Sequence, residues 1–292
     1  VKKIISYSLY GDNPKYINGL KYNLNLLDKV FSNPSWIMRV YYNNSVDIKN
    51  FISHERVEYI NVGEDNNYMF WRFYVWDDPE VEIYLCRDID DRLNFWDYNM
   101  VCEWEKTSHN FTVARCHLQH NVDILGGLWG GKPRNFSFKM KDLISEFSNR
   151  HDTTRYNDDQ IFLSECVWPL VRQETLSFGF YFGHDCAGHV NLPLDYHGLE
   201  KQTPIGNARD VEGRLMITDH NITEMGGAYE SHHKDWESKC SFVNGFHSKK
   251  SDSIYNSLKN DLSTIKTVDQ SDPVFTGIDV SLLSGNKFLF TQ

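Results

Sequence analysis

The stretch "RDIDDR" at 87–92 places three carboxylates and two guanidiniums in six residues, directly after the apolar run 83–86. Asp88 and Asp90 stand two apart. At the end of an extended segment their side chains therefore point in roughly the same direction. Two oxygen ligands on one side suit a hard divalent cation, Mg2+ or Mn2+, which keeps waters and bridges to phosphate oxygens. The plainer reading is a solvated acidic turn salt-bridged to Arg87 and Arg92. A D-x-D arises easily by chance in a chain with 40 acidic and 30 basic residues, so its place in the fold has to decide.

Other stretches carry groups able to do chemistry. Asp158 and Asp159 open a helical pattern, where acidic residues complement the helix dipole whether or not they also act as acid or base. "FGHDCAGH" (182–189) brings His184, Asp185, Cys186 and His189 together, a set suited to a third metal ligand, a zinc site or a purely structural role. The loop "ILGGLWGGK" (124–132) has four glycines, which permit positive φ and close backbone approach. Trp129 within it would stack on a sugar or fill the core.

The elements that position these groups are read from periodicity. Strands are expected over 2–11, 35–44, 56–62 and 82–86, and helices over 14–31, 48–54 and 67–79. Pro14 is well placed in a first helical turn. This alternation predicts an α/β domain with a largely parallel sheet. In such sheets ligands bind beyond the carboxyl ends of the strands, where Asp88, Asp90 and Asp91 would fall. Further on, helices are expected over 95–109, 139–149 and 158–171, strands over 110–116 and 176–183, and a glycine-punctuated loop over 123–132. Beyond about residue 200 the pattern weakens to a polar region, an amphipathic helix over 253–265 and a hairpin over 277–290. The domains expected are 1–200 and a C-terminal extension, 201–292.

The chain has 292 residues with 40% hydrophobic content, enough for a sizeable core. Its formal net charge of -10 argues against a nucleic-acid surface. No apolar run is long enough to span a bilayer, and the opening "VKKIISYSLYG" is too short in apolar residues for a signal peptide. The six cysteines form no C-x-x-C pair, which suits reduced thiols and a cytoplasmic location.

The series "SLYG" (8–11), "FWRF" (70–73), "RDIDDR" (87–92), "EW" (103–104), "ILGGLWGGK" (124–132) and "DDQIFL" (158–163) resembles the GT-A-type nucleotide-sugar glycosyltransferases found in viral and bacterial genomes. The resemblance covers roughly residues 1–190. It departs at Asp91, where the family pattern R-D-x-D-S-R has serine. It departs again at Arg115-Cys116-His117-Leu118-Gln119-His120, where R-D-H-P-x-H is the pattern. The resemblance implies a GT-A-like, Rossmann-type nucleotide-binding sheet flanked by helices, and transfer of a hexosyl or pentosyl group from a nucleotide-diphosphate sugar to a glycan or other hydroxyl acceptor. If the source is viral, the location implied is the host cytoplasm. Asp88 and Asp90, with His184 as a third ligand, would hold Mn2+ or Mg2+. Ser8, Tyr10, Gly11, Arg72, Arg87, Asp88, Arg92, Gly126, Gly127 and Trp129 would line the donor site. Asp159, or else Asp158, would face the anomeric carbon. Two other readings use the same residues: a metal-dependent hydrolase or nucleotidyl-transfer enzyme, and a non-catalytic sugar-binding module.

Overall fold

The computed structural model describes residues 1–115, 120, 122–179, 186–191, 205–206 and 208–213. The helix and hairpin expected over 253–265 and 277–290, and His184, lie outside the described residues.

Strand β1 (Lys2–Leu9) leads into α1 (Pro14–Val30), whose first turn is capped by the Asn13 side chain accepting from the Lys15 N–H at 3.0 Å. Then come β2 (Trp36–Tyr42), β3 (Val57–Asn61), a 3-10 helix (Tyr68–Asp77) and β4 (Val81–Arg87). Next are α2 (Phe95–Glu105), β5 (Phe111–Arg115), β6 (Leu128–Gly131) and α3 (Met140–Ser148). The described chain continues with α4 (Asp158–Phe162), a π-helical turn (Leu163–Val167), α5 (Trp168–Val171), β7 (Thr175–Gly179) and β8 (Gly188–Asn191). The eight strands form one sheet in the order β3-β2-β1-β4-β6-β5-β7-β8. It is parallel except for β6, which runs against both β4 and β5. This is the α/β class expected, a mixed sheet flanked by helices. No helix among the described residues is long and apolar enough to cross a membrane.

Residues alternate along β1 between two buried clusters. Ile5, Tyr7 and Leu9 pack with Leu20, Leu24 and Leu27 of α1 on one face. Ile4 faces the other, which is dominated by aromatics of the 3-10 helix. In a 3-10 helix, residues three apart eclipse. Phe70, Phe73 and Trp76 therefore form one ridge, and all three are buried. Ten residues is long for this helix type, and the ridge it lays on the sheet is what sustains it.

Three expectations are corrected. The glycine loop over 123–132 contains strand β6, because two glycines in four residues erase the alternating pattern by which a strand is read. The helix expected over 158–171 is broken by the π-helical turn. Pro169 has no N–H and its ring clashes with the carbonyl four residues back, and a wider turn there absorbs both. The helix expected over 48–54 is a single 3-10 turn, Ile48–Asn50.

Helix α1 approaches the loop after β4 so closely that a Cβ on Gly19 would lie 2.1 Å from the Ile89 carbonyl oxygen. Alanine gains up to about 1 kcal/mol over glycine in a helix. Overpacking against fixed backbone costs about 2 kcal/mol, so the clash wins. Gly19→Ala is expected to be net destabilising by about 1 kcal/mol in urea unfolding. A stabilised variant would contradict the close packing of α1 on this loop.

Candidate functional site

The site is built where β1 and β4, neighbours in the sheet, end side by side. Strand β1 connects through α1 to β2 on one flank, while β4 lies on the other. That divergence is the switch point at which parallel sheets open a crevice.

Arg72 is the centre of this region. Two serines of β1 hold its main chain: the Ser6 hydroxyl donates to the Arg72 carbonyl at 2.7 Å, and the Ser8 hydroxyl accepts its N–H at 3.0 Å. The guanidinium then bridges two carboxylates. Nη1 donates to Asp88 and Nη2 donates to Asp159 at 2.8 Å. Burial works against the arginine's charge, but Asp88 and Asp159 more than offset it, so the guanidinium stays charged. Its Nε is buried and has no partner among the described residues. Asp159 is 4% exposed, and burial raises its pKa while Arg72 opposes the rise.

Asp90 takes a different cation from Asp88. Its Oδ2 pairs with the Lys15 ammonium at 2.6 Å. Burial, then the charge of Asp88, raises the Asp90 pKa against the pull of Lys15. The turn itself is held from α1. The Asn23 amide donates to the Ile89 and Asp91 carbonyls at 3.2 and 2.9 Å, and its oxygen accepts the Leu93 N–H at 3.0 Å. Lys15, Gly19 and Asn23 lie four apart, so one stripe of α1 faces the acidic turn. Sequence reasoning missed this stripe. The available signal was a glycine and an asparagine recurring at helical spacing on an otherwise apolar face.

Asp91 turns inward. It is buried, its Oδ2 accepts the Gly206 N–H at 3.0 Å, and burial pushes its pKa up to about 8. The Arg209 N–H donates to the Asp90 carbonyl at 3.0 Å, and the Asn18 amide donates to the Val211 carbonyl at 3.1 Å. The described residues 205–206 and 208–213 therefore lie back on the acidic turn and α1. Asp91 is one of three residues, with Asp90 and Asn18, that hold them there.

Several predicted site residues do other work. Arg87 does not face a donor: it forms a buried two-point pair with Asp97 at 2.8 and 2.6 Å and donates to the Cys86 and Trp129 carbonyls. Arg92 lies over the Tyr22 ring at 4.7 Å and donates to the Asp90 and Asp91 carbonyls, bracing the turn. Trp129 is 1% exposed, stacked on Phe111 at 5.2 Å, so it is a core residue and no platform for a sugar. Asp158 is buried and accepts the Arg155 N–H at 3.1 Å, a contact within its own loop. Gly126 and Gly127 have no positive φ. Their missing side chains leave room for the protein's own charges: a Cβ on Gly127 would lie 2.3 Å from the Asp88 carboxyl, and one on Gly126 would lie 2.5 Å from that of Asp159. Gly11 does need its positive φ of 72°, and its N–H donates to Ser45 Oγ at 2.8 Å. Tyr10 is 37% exposed and leans on Tyr68 and Trp71 at the rim.

Among the described residues no three His, Cys, Asp or Glu side chains gather as a metal-binding group. The donor set of Asp88 and Asp90 nonetheless fits a hard cation in chemistry: two oxygen donors whose mutual repulsion a cation relieves. A separate cavity of about 500 Å³ beside β2 and β3 is lined by Arg39, Tyr41, Asp65, Tyr74, Asp78 and Lys141, among others. Its arginine is already committed to Glu58 and Asp78, each at 2.7 Å.

No protein-family model matches the sequence, and no curated protein matches it. Solved structures share part of the fold. The glycosyltransferase GlyE of Streptococcus pneumoniae TIGR4 is 14% identical, covering 60% of this chain and 44% of that one, with a TM-score of 0.42. The galactosyltransferase LgtC, solved with donor and acceptor sugar analogs, is 11% identical over 60% of this chain and 72% of its own, with a TM-score of 0.41. A glycosyltransferase involved in glycosylation of the PBCV-1 major capsid is 12% identical over 62% and 84%, with a TM-score of 0.40.

Asp91 gives a pH test. Its folded pKa of about 8 lies above the 3.8 of an ordinary aspartate. The native state therefore holds more protons than the unfolded chain between these values, and the group's contribution to stability is lost as pH rises through that window. Asp91→Asn keeps an oxygen for Gly206 but cannot ionise. In chelated buffer the variant should match the wild type near pH 4 and be the more stable of the two above pH 8. Parallel stability profiles from pH 4 to 9 would refute the assignment.

Proposed function

We propose that the protein transfers a glycosyl group from a nucleoside-diphosphate sugar to a hydroxyl acceptor, with Asp88 and Asp90 as the residues that would hold a divalent cation. The observation that carries this reading is the convergence of Asp88, Asp90 and Asp159 on Arg72 and Lys15 at the carboxyl ends of β1 and β4. A bound cation would neutralise charge on the departing diphosphate.

The remaining work falls to the chain. The rim aromatics Tyr10 and Tyr68 flank the nucleotide. Arg72, charged and fixed through Ser6 and Ser8, keeps Asp88 and Asp159 at a set spacing. In the transfer the bond from the anomeric carbon to the phosphate oxygen breaks, and its electron pair leaves with the nucleoside diphosphate. The acceptor oxygen bonds to the anomeric carbon and gives up its proton. Asp159 is the carboxylate suited to take that proton, because burial raises its proton affinity above that of an exposed aspartate.

The test is thermal unfolding with UDP, GDP, dTDP and CDP, each with and without Mn2+, on the wild type and Asp90→Asn. A ligand at a hundredfold excess over its dissociation constant stabilises by about 2.7 kcal/mol. One nucleotide should stabilise the wild type only with Mn2+, and the variant should lose the effect. The matching nucleotide sugar should then release nucleoside diphosphate. Release of the monophosphate with sugar 1-phosphate identifies a hydrolase of the diphosphate (phosphoanhydride) bond instead, and stabilisation by no nucleotide removes the transferase reading.

A further inference from the structure

Two cations already sit on the acidic turn, and they are held differently. Arg72 is 8% exposed, fixed through its main chain by two serines and through its guanidinium by two carboxylates. Lys15 is the opposite case. It lies in the first turn of α1 and reaches Asp90 by a flexible four-carbon stem, with its side chain 22% exposed. Its ammonium takes Asp90 Oδ2 at 2.6 Å, while the Asp90 side chain is only 13% exposed. The ring of Tyr16 lies 5.2 Å from the same ammonium and offers it a second resting place. The pair with Lys15 is the salt bridge that Asp90 makes, and it lies largely out of solvent.

We propose that Lys15 is the resident counter-ion of Asp90, and that a divalent cation binds between Asp88 and Asp90 only by displacing the Lys15 ammonium. The inference rests on the reading of Asp88 and Asp90 as cation ligands. It adds a residue outside that pair which sets their affinity. An ammonium at hydrogen-bond distance from a ligand carboxylate and a doubly charged ion on the same carboxylate repel each other strongly where little water screens them. The lysine must therefore leave, and the free energy of its pair with Asp90 is subtracted from the binding of the metal. Lys15 consequently weakens the site for any cation arriving alone. Its freed ammonium is then available to an anionic group that arrives with the metal.

The experiment titrates the metal alone. Mn2+ is added to the full chain without nucleotide, and binding is followed by calorimetry and by loss of the free-ion electron-spin signal. Wild type, Lys15→Met, Lys15→Gln, Lys15→Arg and Asp90→Asn are compared. A part-buried ion pair worth about 1 kcal/mol corresponds to about a fivefold change in affinity. Lys15→Met and Lys15→Gln should bind Mn2+ at least about fivefold more tightly than the wild type, Lys15→Arg should stay near it, and Asp90→Asn should lose binding. Thermal melts of each variant confirm that the fold is kept. Binding abolished in Asp90→Asn but unchanged or weakened in Lys15→Met and Lys15→Gln overturns the counter-ion role and leaves the metal site standing. Equal tightening in Lys15→Arg also overturns it, since charge would then not be the cause. No Mn2+ binding in the wild type or in either neutral variant removes the metal reading and this inference together.

Discussion

The bridge from Arg72 to Asp88 and Asp159 is the interaction on which the rest of the site depends. It joins three separate parts of the chain: the 3-10 helix, the loop after β4 and the start of α4. The Arg72–Asp159 half is buried on both sides, and removing one member of such a pair costs roughly 3 to 5 kcal/mol; the Asp88 half is more open to water. The surrounding sequence is arranged to permit it. Small serines at positions 6 and 8 let the 3-10 helix settle on β1 and fix the Arg72 main chain. Glycines at 126 and 127 vacate the space that the two carboxylates occupy. The buried Cys86 thiol donates to the Gly126 carbonyl at 3.1 Å, and burial pushes its pKa up to about 12, so it remains a donor.

The acidic turn gains its shape from outside itself. Asn23 satisfies two of its carbonyls and one N–H. Arg92 braces two carbonyls beneath it, and Arg87 with Asp97 anchors the strand that leads in. Asp91 accepts from Gly206 and the Asp90 carbonyl from Arg209, so these residues of the expected C-terminal extension pack on the acidic turn. Held this way, Asp88 and Asp90 take different partners: Asp88 pairs with Arg72 and Asp90 with Lys15. The strand ends at Arg87, so both lie beyond it in the turn.

The sequence was most legible where one physical rule acted alone. The alternation of apolar strands with amphipathic helices located β1 through β4, and the sheet's parallel character followed. The placing of Asp88, Asp159 and Arg72 at one edge was legible too, by motif rather than by any pattern of periodicity. What could not be read was which partner each charge would take. "RDIDDR" has five charged residues, and the structure sends them to five different places. Arg87 goes to Asp97, ten positions ahead, and Asp91 goes to Gly206, more than a hundred positions away. Trp129 shows the same limit from the apolar side. Glycine neighbours suggested an exposed loop, whereas Phe73, Phe111 and Tyr84 enclose the indole.

The charges of the site follow a division of labour that comes from side-chain chemistry. Three carboxylates, Asp88, Asp90 and Asp159, pair with two cations, Arg72 and Lys15. Arg72 is the permanent member: planar, always ionised and bound at both ends, it cannot be withdrawn without unmaking the fold around it. Lys15 is compact, flexible and joined to the site at a single point, so it can move at small cost. If Asp88 and Asp90 hold a cation as proposed, a ligand that brought its own cation and anionic groups would exchange with this pair: the cation would take Asp90 and the anion the lysine, an exchange that a neutral sugar does not offer.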